Sequence, residues 1–83
     1  MELESLKEAR RKVVGSKQTF RAIEREEAKK VYVAKDAEAK VIDPIVKLCQ
    51  DKGVEWEYAN SMNELGSRCG IKVGAASAAI LEE

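Results

Sequence analysis

The chain contains no histidine. It therefore lacks the side chain that titrates nearest neutral pH, which is also the commonest metal ligand and a frequent general acid or base. Its two cysteines, Cys49 and Cys69, do not form a C-x-x-C pair. Two thiols alone do not complete a four-ligand zinc site. Both fall at apolar helical positions, where a free thiol reads as a small buried hydrophobe; a disulfide or redox pair is the alternative. An enzyme is the least favoured class on this inventory, and no cofactor or metal is expected. No apolar run approaches the roughly 20 residues of a membrane span. The opening stretch, "MELESLKEAR", is acidic and amphipathic, unlike a secretory signal. A cytoplasmic protein without membrane contact is expected. Low-complexity tracts, linkers and internal repeats are also missing.

What is present is a mixture suited to one folded unit. The chain has 83 residues, 45% hydrophobic and 36% charged, which fits a soluble globular domain and not a disordered one. One domain over residues 1–83 is expected, burying roughly 60% of its unfolded surface. Net charge is zero, but it is unevenly placed. Residues 10–30 hold eight basic side chains against three acidic ones, an excess of +5. Residues 1–9 and 51–83 carry −2 and −3. A single-sign field on one segment bears on partners more than the total does. A solvated charged face would look the same.

Apolar periodicity alternates between helix and strand. Leu3, Leu6 and Val13 fit one helical face, and Val13-Val14 also fits a short strand. Gly15 breaks the pattern and Ser16 is a plausible N-cap for a helix running to about Glu27. "KVYVA" at 30–34 reads as a strand. Asp43-Pro44 has the form of a helix start; alternatively the helix begins near Glu38 and kinks at Pro44. It ends at Gly53. Val54, Trp56 and Tyr58 alternate with Glu55 and Glu57, as in a half-buried strand. Ser61 and Glu64 have capping-box spacing. Met62, Leu65 and Cys69 give the next helix its apolar stripe, and Gly70 suits a left-handed cap. Small residues on both faces from Gly74 to Ala79 predict a central strand buried on both sides. Alternating elements of this kind argue an α/β domain with a parallel or mixed sheet between helix layers.

The helix after Gly15 carries no acid before Glu24, although helix starts favour negative charge. At about 100° per residue, Phe20 and Ile23 share a core-facing side. Lys17, Gln18, Arg21 and Arg25 fall on a different arc. The first N–H groups of a helix lack partners, and a glycine lets a bulky ligand reach the backbone. Gly15, Ser16, Lys17, Gln18 and Arg21 therefore have the composition of an anion site, and a phosphate backbone is the obvious large anion. Gln18 can read base edges, and Arg21 can grip guanine or phosphate with two parallel bonds. An ordinary solvated helix face is the alternative. In "CGIKVGA", Ile71 and Val73 flank Lys72 between two glycines. An exposed loop there could pack aliphatic groups on an unstacked base while Lys72 touches phosphate; otherwise both are core residues at a strand entry.

"GSKQTFRAI" followed downstream by "ELGSRCGIKVGAASAAI", with "VYVAKDA" and "KLCQDKGV" between, resembles the kink-turn RNA-binding ribosomal proteins, the L-seven-Ae and L-thirty-e group. The likeness spans nearly the whole chain and is greatest to the small bacterial members. It implies a three-layer α/β/α sandwich with a mixed four-stranded sheet. It also implies binding to kink-turns, sharply bent duplexes containing tandem sheared G·A pairs. The family motif after the glycine is Asn-Glu with Lys three residues on. Lys17, Gln18 and Arg21 occupy those positions here, which implies base reading weakened relative to phosphate holding. The family's hydrophobic loop falls on Ile71, Lys72 and Val73. Ala34, Lys35 and Asp36 match a segment beside the same groove. Sequence-specific RNA recognition favours bent and bulged regions, since the A-form major groove is closed to side chains.

The resemblance makes structured RNA containing kink-turns the expected partner, with the ribosome as a candidate setting, no DNA, and a monomeric protein. The competing reading is an adaptor that uses Val54–Tyr58 or the apolar loop to bind another protein, with RNA incidental. Steep salt dependence and sensitivity to Lys17 or Arg21 substitution separate the two.

Overall fold

β-Branched and small apolar residues build the centre of the molecule. The computed structural model describes the backbone of residues 3–82 and the side chains of residues 6–82. Its elements are α1 (Leu3–Glu8), β1 (Arg11–Val14), α2 (Ser16–Glu24), β2 (Lys30–Ala34), α3 (Ala39–Lys52), β3 (Glu55–Ala59), α4 (Met62–Arg68) and β4 (Ser77–Glu82). The strands form one sheet in the order β1-β4-β2-β3. β2 and β3 are parallel, and β4 runs antiparallel to both β1 and β2.

Strand side chains alternate between faces, and each face is covered. Val31 and Val33 of β2 and Ala79 of β4 pack with Ile23 of α2 and with Ile42, Ile45 and Cys49 of α3. Tyr32, Ala34, Ala78 and Ile80 point the other way and pack with Leu6 of α1 and Leu65 of α4. The result is a three-layer α/β/α sandwich with a mixed four-stranded sheet, as expected. Each fully buried Ile or Leu contributes about 1.5–3 kcal/mol relative to exposure. The run Ser77–Ile80 is buried throughout, because β4 has strands on both edges and helices on both faces.

Several element boundaries differ from the sequence reading, each for a physical reason. Val13 belongs to β1, pairing with Ala79, and shares no helix with Leu6; the Leu3 side chain lies outside the described residues. β4 begins at Ser77, since Gly74–Ala76 are still crossing from α4. Gly15, not Ser16, takes the cap position of α2 and supplies no side-chain bond. α2 stops at Glu24, where Glu26 turns to a φ of 59°. α3 follows the longer alternative: it begins at Ala39 after Glu38 and keeps Pro44 inside. Pro44 is past the first turn, so it leaves the Lys40 carbonyl without its helical bond and crowds it with the ring. Gly53 closes α3 at φ 70°, and Ser61 Oγ accepts the Glu64 N–H at 3.0 Å, both as predicted. Tyr58 does not follow the inward alternation; it is 47% exposed at the sheet edge and meets Trp56 edge-to-face at 5.1 Å.

The two cysteines are free. Cys49 belongs to the cluster beneath α2 and α3, whereas Cys69 packs on the opposite cluster. The sheet stands between them, so a redox pair is not formed. Burial pushes the Cys49 thiol up to about 11. Burial also raises Cys69, against an opposing influence of Lys12.

Candidate nucleic-acid interface

β1, β2 and β3 all finish at the end of the sheet where β4 begins. Backbone bonds tie that end together. The Gly15 N–H donates to the Ser77 carbonyl at 2.8 Å, Ala34 to Ala76 at 2.8 Å, and Lys35 to Ala59 at 2.9 Å. Three connections emerge side by side there: Gly15 with the start of α2, the Lys35–Asp36 turn, and the Gly70–Ala76 loop. Gly15, Ser16, Lys17, Gln18, Lys35, Ile71, Lys72 and Val73 lie on or next to these connections and Arg21 about one helical turn beyond, whereas Arg25 lies at the far end of α2 and Val54–Tyr58 runs into β3.

Gly15 has φ 104° and ψ 151°, a region that glycine alone enters without strain. That geometry turns β1 into α2 in a single residue. The first turn of α2 contains no acidic residue. Its leading N–H groups have no acceptor within the helix, and Gly15 offers no cap. Lys17, Gln18 and Arg21 are exposed on it, while Thr19, Ala22 and Ile23 are buried. Phe20 is only half-buried and lines a groove of about 340 Å³ between α2 and α3, with Ser16, Lys17, Arg21, Glu24 and Pro44. The Ser16 hydroxyl lies 3.5 Å from that of Ser77, which ties the helix start to β4. The buried Thr19 hydroxyl has no partner among the described residues.

The Gly70–Ala76 loop is held at both ends. The Ile71 N–H donates to the Gly66 carbonyl at 3.0 Å, and the Ala75 N–H to the Met62 carbonyl at 3.1 Å. Between these anchors Val73 is 70% exposed and Lys72 is exposed. Ile71 instead packs partly against the core cluster below. The loop therefore presents one aliphatic tip, Val73, rather than two.

Two supporting residues act through backbone contacts that spacing alone does not reveal. Asp36 accepts the Met62 N–H at 2.8 Å, so the turn after β2 caps α4. A Cβ on Gly66 would collide with the Val73 carbonyl oxygen, so this glycine lets the loop rest on α4. A glycine inside a helix costs roughly 1 kcal/mol relative to alanine, and that penalty was the available signal for a close approach. Among the described residues no group of three His, Cys, Asp or Glu side chains could hold a metal ion. No described helix is long and apolar enough to cross a membrane.

A family model described as the ribosomal protein L7Ae/L30e/S12e/Gadd45 family matches residues 1–83. The chain belongs to this family. It is similar to an RNA-binding protein of Bacillus pumilus, at 41% identity over 98% of this chain and 99% of the relative. It is also similar to an RNA-binding protein of Caldanaerobacter subterraneus, at 48% identity over 83% of this chain and 84% of the relative. Among solved structures, the Giardia lamblia 15.5kD RNA binding protein superposes with a TM-score of 0.87 at 26% identity. That match covers 98% of this chain and 71% of the other. The family member described here thus shares its α/β/α sandwich with a structural relative of low sequence identity.

Proposed function

We propose that the chain is a non-catalytic RNA-binding protein that recognises and stabilises kink-turns in structured RNA, in the cytoplasm and in a ribosome-related setting. The observation that carries this reading is the convergence on one sheet end of an uncapped helix start, the exposed Lys17, Gln18 and Arg21, and the Val73 tip. The names of the relatives and of the structural neighbour support RNA as the partner.

The mechanism follows from the chemistry of these parts. The positive end of the α2 dipole, the leading N–H groups and Lys17 attract phosphate. Gln18 offers both a donor and an acceptor to a base edge, and Arg21 offers a planar fork. Val73 covers an unstacked base, while Lys72 and Lys35 flank it with charge. Gly15 and Ser16 let the RNA backbone approach closely. Such a surface binds the bent RNA better than the extended form, and that differential affinity shifts the RNA toward the bent state. One surface on one chain is enough for this, so the protein acts as a monomer.

The deciding experiment is a titration of a kink-turn RNA, and of a control whose G·A pairs are replaced by Watson–Crick pairs, with wild type and Arg21→Ala. Wild type should prefer the kink-turn, and the substitution should cost about 1–3 kcal/mol of that binding. Equal, weak binding to both RNAs would overturn the reading and leave a protein-binding adaptor as the alternative.

A further inference from the structure

A second basic feature lies away from the sheet end. Gln18, Arg21 and Ala22 of α2 and its C-cap Arg25 recur at i, i+3, i+4 and i+7, which places them on one stripe. That stripe faces β1. Arg11 and Val13 share a strand face by their two-residue spacing, and Arg11 sits at a register shift where Leu81 of β4 is the extra residue. Together Arg11, Gln18, Arg21 and Arg25 line a trough of about 160 Å³ to which Val13, Ala22 and Leu81 also contribute.

The charges in this trough are unevenly matched. Among the described residues none of the three arginines forms an ion pair, and Glu27 is the one carboxylate lining the trough. The neighbouring Glu26 is turned to Lys52, at 3.3 Å. Arg11 from β1 and Arg21 and Arg25 from the α2 side line one space and repel each other unless an anion or solvent separates them. The volume falls below the roughly 300 Å³ at which small-molecule pockets begin. An open trough of that size suits an anionic group reaching in from a polymer.

Its direction says which polymer. Arg11 lies three residues down β1 from Val14, about 10 Å at strand rise, and Arg25 lies nine residues down α2 from Ser16, about 13 Å at helix rise. The track runs from the sheet end down the flank of the molecule. Arg21 lines both this trough and the groove toward α3, which makes the two surfaces continuous.

We infer that the α2–β1 trough, through Arg11 and Arg25, holds backbone phosphates of a duplex stem flanking the bend, and so extends the RNA footprint beyond the G·A pairs. The inference rests on the kink-turn reading. Phosphate contacts position without reading sequence, so these residues set affinity and orientation while the helix start sets selectivity.

The test measures the salt dependence of binding for wild type, Arg11→Gln, Arg25→Gln, Glu27→Gln and Arg21→Ala on kink-turn RNAs with full-length stems and with each stem trimmed in turn. Circular dichroism confirms that the variants fold. Each of the first two variants should lose on the order of three- to tenfold in affinity and flatten the log–log salt slope by about 0.7–0.9. The loss should be equal for kink-turn and control RNA and should vanish when the stem lying in the trough is trimmed. Glu27→Gln should bind more tightly, and Arg11→Lys should recover most of the loss. Wild-type behaviour of both arginine variants beside a defective Arg21→Ala would overturn the inference and leave the kink-turn reading standing. A loss that persists with both stems trimmed would also overturn it. If wild type shows no preference for the kink-turn, the functional reading fails instead, and an unchanged salt slope for Arg11→Gln would then dismiss the trough as well.

Discussion

Gly15 illustrates how one residue sets the direction of the whole candidate interface. Its backbone, at φ 104° and ψ 151°, joins a strand to a helix while its N–H and carbonyl bond to Ser77 and Thr19. An added Cβ would meet nothing within 4 Å. Alanine would therefore cost stability through conformation alone, by about 1–3 kcal/mol. Gly15→Ala should lower the denaturant midpoint accordingly without changing the slope of the transition. It should also weaken RNA binding, because relief of the strain swings the start of α2. A variant as stable as wild type would show that the φ at this position is not demanded by the fold. Lys17 and Gln18 replace a neutral donor and an acid of the family motif. In the proposed complex this exchange favours phosphate over guanine.

At the scale of elements, the interface depends on loops gripping one another. α4 receives its N-terminal bonds from two directions, the Ser61 hydroxyl and the Asp36 carboxylate. The Gly70–Ala76 loop rests on the same helix at Gly66. Removing the Asp36 contact leaves the Met62 N–H unpaired, and a lost cap costs about 1 kcal/mol. Asp36→Ala should destabilise the protein by that amount and raise hydrogen exchange at α4 and the Val73 loop, with α2 unaffected. Exchange spread evenly over the molecule would show that α4 and the loop are not a local cooperative unit. Lys35 stands beside this loop because the Ala34 N–H bonds to the Ala76 carbonyl, and Asp36 adds a second tie from the same turn to α4.

At the scale of the whole molecule, a sheet with two buried faces separates what the sequence lists together. Cys49 and Cys69 lie on opposite sides of it and meet different fates. Cys49 is fully buried with a thiol pushed up to about 11, so at pH 8 only about a thousandth of it is thiolate, the reactive form. Alkylation of the native protein at pH 8, read by mass spectrometry, should modify Cys69 first and reach Cys49 only at the rate of global unfolding. Equal labelling of both in the native state would contradict the layered burial. The fold also sorts charge: Arg11, Arg21 and Arg25 come together between β1 and α2, whereas Lys12 lies near Cys69 on the other side and Lys30 pairs with Glu57, so a neutral chain still presents one basic flank.

Pattern alone was enough for the elements whose signals are local. "KVYVA", the Ser61 cap, the left-handed Gly53 and Gly70, and the basic turn after Gly15 each depend on neighbours a few residues away, and each was legible in the chain. The matched motifs carried the sandwich as well. Boundaries proved less legible where tertiary packing overrides local preference: Pro44 remains inside α3 because Ile42 and Ile45 on either side are buried against the sheet. Exposure also required the fold. Ile71 and Val73 look equivalent in sequence, yet the anchor on Gly66 turns one toward the core and leaves the other in solvent. Arg11 and Arg25 are fourteen positions apart, and only the packing of α2 against β1 brings them to one trough. Spacing within an element determines which side chains share a face; which faces meet is decided by the burial of apolar surface between elements, a property of the whole chain.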